Sequence, residues 1–348
     1  MPQNAAPPMS ATMGDVAQKA GVSLKSVSRV INNEPHVSAK LRARVQAAID
    51  ALDYVPDTAA RSLAGGRNFI ISVMFDNPSP NYIIKVLSGT YRACVEHQYH
   101  LRIDQFDGAT GTVCILAQLE QVLRHSRVDG FVLTPPLCDD RRILDRLDAQ
   151  GLRYVRVAPT VDPGRSAAVQ IDDAAAAATV ADMFWRHGHR HIGLINGPEL
   201  HGAAGRRRQG FLERLHTLAP DLEVSEAEGA FTFEGGMSAG GDLLDRVPGL
   251  TAIFAANDDS AAGAMTACRQ RGLDVPGQIS VCGFDDSPVA SSVWPYLTTV
   301  YQPIEEMAYT AVNLLLARGD ADALAQSTLD YRLIERQSVA LASHDEQA

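Results

Sequence analysis

Thr12-Met-Gly-Asp-Val-Ala-Gln-Lys-Ala-Gly-Val-Ser-Leu-Lys-Ser-Val-Ser-Arg-Val-Ile-Asn32 decides how this chain begins to fold. Thr12, with Asp15 three residues on, is a helix-start pair, a side-chain acceptor for amides that a first turn leaves without partners. Val16, Ala17 and Ala20 give the short helix one apolar side, Gly21-Val22 makes a tight turn, and Ser23 is placed to cap a second helix from Leu24 to about Asn32. Val27, Val30 and Ile31 fall on the inner side of that second helix, which leaves Leu24, Lys25, Ser28 and Arg29 outward. Two short helices joined through a glycine, the second with polar and basic groups near its start, make a helix-turn-helix, whose second helix reads the DNA major groove.

A third helix is expected from its cap at Ser38 to about Leu52, with Leu41, Val45, Ala48, Ile49 and Leu52 at helical spacing to close a small core. Asp53-Tyr-Val-Pro-Asp57 follows, then a short segment from Thr58 to Ala64 that stops at Gly65-Gly66. Alone, that segment is too short for a stable helix in water. The net charge of −10 is unevenly spread. Residues 1–67 hold eight Lys/Arg against five Asp/Glu, a surplus of three positive charges, and the remainder carries a deficit of thirteen. Such asymmetry turns the basic end toward phosphate and the acidic body away from it.

The 348 residues call for two or three domains, and 46% hydrophobic with 21% charged is an ordinary globular composition. No apolar run reaches the ~18 residues of a membrane span, and Met1 to Ala11 lacks the features of a secretory signal. Five scattered cysteines, odd in number and without metal-ligand spacing, read as reduced thiols, so a cytoplasmic location is expected with neither cofactor nor metal.

From Phe69 short apolar runs alternate with amphipathic stretches. Strands are expected at 69–75, 101–106, 130–134 and 154–157, and a second set at 168–171, 191–196, 251–255 and 279–283. Helices are expected at 82–97, 113–124, 172–186, 206–219, 238–245, 261–271 and 303–318. This alternation implies an α/β fold with two parallel sheets, each covered by helices, and a ligand cleft at the strand ends between them. Polar residues gather at those ends: Asp76 and Asn77, Thr134, Arg156 within the fourth strand, Asn257, and Asp285-Asp286.

Asp15-Val-Ala-x-x-Ala-Gly-Val-Ser, Val27-Ser-Arg-Val-Ile-Asn, Val37-Ser-Ala-Lys, Tyr54-Val-Pro-Asp, Ala60-Arg-Ser-Leu-Ala, Asn257-Asp258 and Gly283-Phe-Asp-Asp strongly resemble the lac repressor/gal repressor family of bacterial transcription regulators. The series runs through nearly the whole chain. The resemblance implies a helix-turn-helix DNA-binding domain at 12–55, a hinge at 56–67, and a periplasmic-binding-protein-like effector and dimerisation domain at 68–348. The last has two Rossmann-like parallel α/β subdomains, one at about 68–166 and 301–326, the other at about 167–300 and 327–342. It also implies a homodimer on double-stranded, palindromic operator DNA, most consistent with a repressor released by a small carbohydrate. A dimer is favoured over a tetramer because 343–348 lacks a leucine-rich helix.

Carried over residue by residue, Leu24, Lys25, Ser28, Arg29 and Asn32 are the candidate groove contacts, and Arg29 suits a bidentate guanine contact or a phosphate. Leu63 matches a leucine that wedges between bases of the minor groove, with Ala60 and Ala64 letting paired hinges approach. In the cleft, Arg207 and Asp285 occupy effector hydrogen-bonding positions, Asn257 matches another cleft residue, and Phe231 falls at an aromatic platform. Asp76, Thr134 and Arg156 complete the candidate set. Arg206 or Arg208 takes the place of Arg207 if the register slips by one. Arg156 departs from the family pattern, and is read either as the mark of an acidic ligand or as an internal salt bridge.

Other chemistry finds less support. His187, His189 and His191 alternate like metal ligands, yet they lie at a helix end and turn. The pairs Asp172-Asp173, Asp258-Asp259 and Asp285-Asp286 do not establish the carboxylate separation of a glycosidase, and capping explains them more simply. An enzyme acting on sugars and a transport solute-binding protein are the rivals from other classes, and the second should lack residues 12–67. A nearer rival keeps the regulator and makes its ligand a purine or nucleoside corepressor stacked on Phe231.

Overall fold

The computed structural model describes residues 11–31, 37–54, 67–108, 112–125, 127–317 and 324–342, and the chain divides after Phe69 into two units. The first holds α1 (Met13–Ala20), α2 (Leu24–Ile31) and α3 (Ala39–Leu52). Thr12 Oγ1 accepts from the Asp15 amide at 3.3 Å, and Asp15 Oδ2 accepts from the Thr12 amide at 2.8 Å, a reciprocal cap. Gly21 ends α1 at φ 61°, a left-handed conformation that costs glycine little. Ser23 Oγ accepts from the Ser26 amide at the start of α2, and Ser38 caps α3. Val16, Val27 and Val45, one from each helix, are fully buried, and each such valine contributes about 1.5–3 kcal/mol. Arg44 on α3 donates from Nε to Ala20 O at 3.2 Å and from Nη2 to Gly21 O at 2.9 Å, so this cation holds the α1–α2 turn.

In the second unit, β1 (Ile70–Phe75), β2 (His100–Gln105), β3 (Gly130–Leu133), β4 (Tyr154–Val157), β5 (Ala167–Gln170) and β11 (Gln326–Thr328) make one sheet in the order β2-β1-β3-β4-β5-β11. Its pairings are all parallel. The other sheet runs β7-β6-β8-β9-β10-β12, with β6 (Ile192–Asn196), β7 (Val224–Glu228), β8 (Ala252–Ala255), β9 (Ser280–Asp285), β10 (Thr298–Tyr301) and β12 (Arg332–Ile334). Among the described strands only its β10–β12 pair is antiparallel. The first five strands of each sheet repeat one topology, and the order reverses at β1/β3 and at β6/β8, where an open α/β sheet leaves a crevice at its carboxyl ends.

Helices α4 (Pro80–Glu96), α5 (Thr112–His125) and α6 (Arg141–Ala149) belong to the first lobe, joined by α11 (Ile304–Leu316), which packs on α4 and on β3, β4 and β5. The second lobe has α7 (Asp173–Arg186), α8 (Gly202–Leu218), α9 (Phe233–Arg246) and α10 (Asp258–Gln270), packed as the pairs α7–α8 and α9–α10. Gly210 makes the first pair possible: a Cβ there would lie 2.1 Å from the Ala174 carbonyl oxygen. One boundary is corrected. The 168–171 run, expected to open the second lobe, is β5, hydrogen-bonded to β4 and β11 of the first. Its apolar pattern specifies a buried strand but not which sheet takes it. The chain therefore crosses between lobes at 171–172, 302–303 and 329–331.

Candidate effector site and DNA-reading helix

On α2, Leu24 is 55% exposed and Lys25 is exposed, with Ser28 and Arg29 half-buried beside them. A helix whose buried stripe is Val27 and Val30 must present this opposite stripe outward, which is the geometry that base-edge contacts require. Asn32, Ala60, Leu63 and Ala64 lie outside the described residues.

The cleft of the second unit is built from the ends of the strands. Arg207 on α8, Phe231 after β7, Asn257 after β8 and Asp285 at the end of β9 line one cavity together with Tyr82, His201 and Gln302. The space they enclose is about 30 Å³, room for a water or two. Of the triple arginine on α8, Arg207 is buried and lines the cavity, whereas Arg206 and Arg208 are exposed and Arg208 pairs with Glu226. Arg207 donates from Nε to Asp173 Oδ1, from Nη1 to the Ala256 carbonyl and from Nη2 to Gln302 Oε1, each at 2.8 Å, and its guanidinium lies 3.7 Å from the Phe284 ring centroid. Burial opposes its charge, but Asp173 and Asp285 outweigh burial and raise its pKa. Gln302 sits in one of the crossovers between lobes, so the arginine is fastened to the hinge as well as to the second lobe.

Asp285 Oδ1 lies 3.6 Å from Arg207 Nη1 and has no hydrogen-bond donor among the described residues, although the residue is only 5% exposed. Burial, with the neighbouring carboxylates Asp259 and Asp173, lifts its pKa to about 6 against the pull of Arg207 and Lys85. Ala158, Phe231 and Asp285 line the cavity with φ of 50°, 58° and 107°. Left-handed backbone at non-glycine residues costs about 1–3 kcal/mol each and gathers at binding sites. Asn257 serves the same framework: its Oδ1 accepts from the Ser260 amide to cap α10, and its Nδ2 donates to the Phe231 carbonyl at 3.0 Å.

Three expected contacts fall elsewhere. Thr134 is fully buried and donates to the Met74 carbonyl at 3.3 Å, tying β3 to β1. Asp76 lines a second, wider space of about 570 Å³ outside the first, with Asn77 and His201 common to both. Arg156 makes no ion pair with a carboxylate among the described residues. It is wholly buried and donates to Ser166 Oγ and to the carbonyls of Val161 and Asp162, organising the loop between β4 and β5. A strand-internal arginine looked like a ligand contact because sequence does not show which loop folds back over it.

The paired acids divide their labour. Asp172 caps α7, while Asp173 holds Arg207. Asp258 accepts from the Ser287 amide at 2.6 Å and from Thr299 Oγ1, fixing the turn after Asp285. Asp259 reaches across the cleft, taking Ser79 Oγ at 2.6 Å and Asn81 Nδ2 at 2.7 Å from the start of α4. Lys85, also on α4, donates to the carbonyls of Asp285 and Asp286 at 3.0 and 2.8 Å. Asp286 itself pairs with Arg336 rather than capping a helix. His189 is structural, its ring bonded to Thr251 Oγ1 and the Ala340 carbonyl. Tyr82, His201 and Gln302 escaped the sequence reading: each is a lone polar residue that only the packing of two lobes brings to the cavity.

A family description of bacterial regulatory proteins of the lacI type matches residues 12–57, and one of a periplasmic binding protein-like domain matches 181–339. The HTH-type transcriptional regulator GalS of Salmonella typhimurium is 33% identical over 340 residues, covering 94% of this chain and 96% of that protein. The chain belongs to the LacI family. The HTH-type transcriptional repressor PurR of Proteus mirabilis is also similar, 32% identical over 346 residues, with 95% of this chain and 97% of that one covered. Among solved structures, the transcriptional regulator CelR–cellobiose complex superposes with a TM-score of 0.70 at 30% identity, covering 94% of this chain and 99% of that one. The lac repressor dimer bound to operator and the anti-inducer ONPF gives 0.77 at 27% identity, covering 95% and 99%. As a LacI-family protein, the chain is a DNA-binding transcription regulator, and its two-lobed unit is the periplasmic-binding-protein-like part of that architecture. No helix among the described residues is long and apolar enough to cross a membrane.

Proposed function

We propose that this LacI-family regulator is a cytoplasmic repressor that sits on a palindromic operator as a homodimer and is released by a small, uncharged sugar held in the cleft, without turnover. The observation that carries this reading is Asp285 Oδ1, a buried oxygen with no donor beside a buried arginine. A polar atom left so costs about 1–3 kcal/mol, which a ligand hydroxyl placed there recovers. Phe231 supplies an apolar face for a ring, and its own edge-on contact with His201 keeps it in place.

Charge favours a neutral ligand. Each guanidinium nitrogen of Arg207 already makes one hydrogen bond, its charge is balanced by Asp173 and Asp285, and no other Lys or Arg among the described residues lines either space. With Arg156 also engaged, no free cation among these residues awaits a phosphate or carboxylate. Coupling to DNA runs through unequal affinity of the ligand for two lobe arrangements, without which no equilibrium moves. Lys85 grips the backbone that carries Asp285 from the opposite lobe, so a ligand at Asp285 acts on a contact between the lobes. The CelR neighbour, a cellobiose complex, supports a sugar as effector, and a purine stacked on Phe231 is the competing outcome. Thermal unfolding against neutral sugars and purine bases tests the choice: a ligand at 100 times its Kd adds about 2.7 kcal/mol of native stability. Stabilisation by a sugar supports the reading, and stabilisation by a purine alone overturns it.

A further inference from the structure

His201 stands where the inner cavity opens into the outer vestibule and lines both. It occupies the cap position of α8, yet its side chain makes no capping hydrogen bond. The residue is 5% exposed, its ring packs edge-on against Phe231 at 5.3 Å, and no described residue gives or takes a hydrogen bond at its nitrogens. Burial, aided by the charge of Arg207, lowers its pKa to about 4, so at neutral pH one nitrogen is a donor and the other an acceptor. A buried imidazole with both functions open at a junction between two spaces is matched to a molecule that passes through that junction.

The vestibule has the chemistry of a ring site rather than of open solvent. Its walls combine Phe106, Pro136 and the 78% exposed Leu200 with the acceptors Asp76 and Gln105. Apolar faces with carboxylate and amide groups between them suit a pyranose, whose hydroxyls lie around a weakly polar ring face. At about 570 Å³ it falls within the usual size of small-molecule pockets, whereas the inner cavity is far below it. The inner space therefore receives a ring only as the lobes adjust, and the outer space is already wide enough for one.

We propose that the vestibule is a second subsite of the effector site, so that the effector is an uncharged molecule of two linked rings. The inner ring meets Asp285, Arg207 and Phe231, the outer ring lies against Leu200 and Gln105, and His201 bonds the atoms that join them. The proposal rests on the sugar reading above. The full chain is titrated calorimetrically with maltose, cellobiose, lactose and melibiose, with glucose, galactose and their methyl glycosides, and with hypoxanthine and guanine. At least one disaccharide should bind ten or more times as tightly as the methyl glycoside of either of its units. Gln105→Ala and Leu200→Ala, both at the rim, should each lower that ratio by threefold or more, and His201→Ala should weaken the disaccharide tenfold. A monosaccharide that binds as well as any disaccharide, or a ratio indifferent to the rim variants, overturns the second subsite and leaves the sugar reading standing. Binding of a purine with silence from every sugar removes the sugar reading itself, and silence from the whole panel counts against both.

Discussion

Replacing Asp285 by asparagine should make the protein more stable and its effector site useless. The side chain is buried, its Oδ1 has no donor, and burial with Asp259 and Asp173 nearby lifts its pKa to about 6. At pH 7.5 the folded protein must hold this carboxylate ionised about two pH units more reluctantly than the unfolded chain does, a cost of roughly 3 kcal/mol. Asparagine keeps the shape and removes the charge. The bonds from Lys85 survive because they go to main-chain carbonyls, and Arg207 keeps Asp173, the Ala256 carbonyl and Gln302. We expect a gain of about 1–3 kcal/mol, seen as a rise of several degrees in Tm at pH 7.5. The ligand loses a charge-assisted hydrogen bond, about 1.5–3 kcal/mol, or roughly tenfold to a hundredfold in Kd. Differential scanning fluorimetry with and without the best ligand gives both quantities from one preparation. A fall in Tm, or an unchanged ligand affinity, would refute the argument that this oxygen is held for a ligand rather than for the fold.

Arg29→Ala should weaken binding to the protein's preferred duplex by about 1–3 kcal/mol while affecting random duplex less, measured by fluorescence anisotropy at fixed salt; equal losses on both would make Arg29 a phosphate contact. Arg156→Met should cost about 3 kcal/mol or more in urea unfolding, because three loop acceptors lose their donor, yet leave the Kd of the effector within about twofold once folded. Asp258, its pKa raised by burial to about 8, binds its proton more tightly folded than unfolded, so stability should decline as pH rises toward 8. Below about 6.5 the buried His189 and His201, with pKa values lowered to about 4, add stability with rising pH and oppose Asp258 and Asp285. The net decline therefore falls between about pH 6.5 and 8, up to ~2 kcal/mol, and Asp258→Asn should flatten it; a decline that persists in that variant would assign it to another group.

Periodicity and capping made much of the fold legible. Thr12 with Asp15, Gly21 and Ser38 mark helix ends in the sequence and do so in the structure. Strands such as Ile70–Phe75 are apolar but for a single Ser72 because both faces of a parallel sheet are covered. The elements that escaped notice are those whose burial comes from neighbours. Helix α6 is mostly Arg and Asp with only Ile143, Leu144 and Leu147 buried, and the edge strands β7, β11 and β12 are short or polar. At the cleft, Arg207, Phe231, Asn257 and Asp285 stood out because they end or follow strands. Arg156 misled for the same reason, since position on a strand does not reveal a loop folding back. Tyr82, His201 and Gln302 carry no local pattern, and their place depends on the three crossovers that bring the lobes together.

The most direct test of a ligand-controlled DNA reader is a titration of the full chain against a duplex that it has itself selected from a random pool. The titration is run with and without the ligand that most raises its Tm, in the wild type and in Asp285→Asn. The account predicts that the ligand weakens DNA binding by tenfold or more in the wild type and by less than twofold in the variant. Equal affinity with and without ligand in the wild type, at ligand concentrations that stabilise the protein, would contradict it.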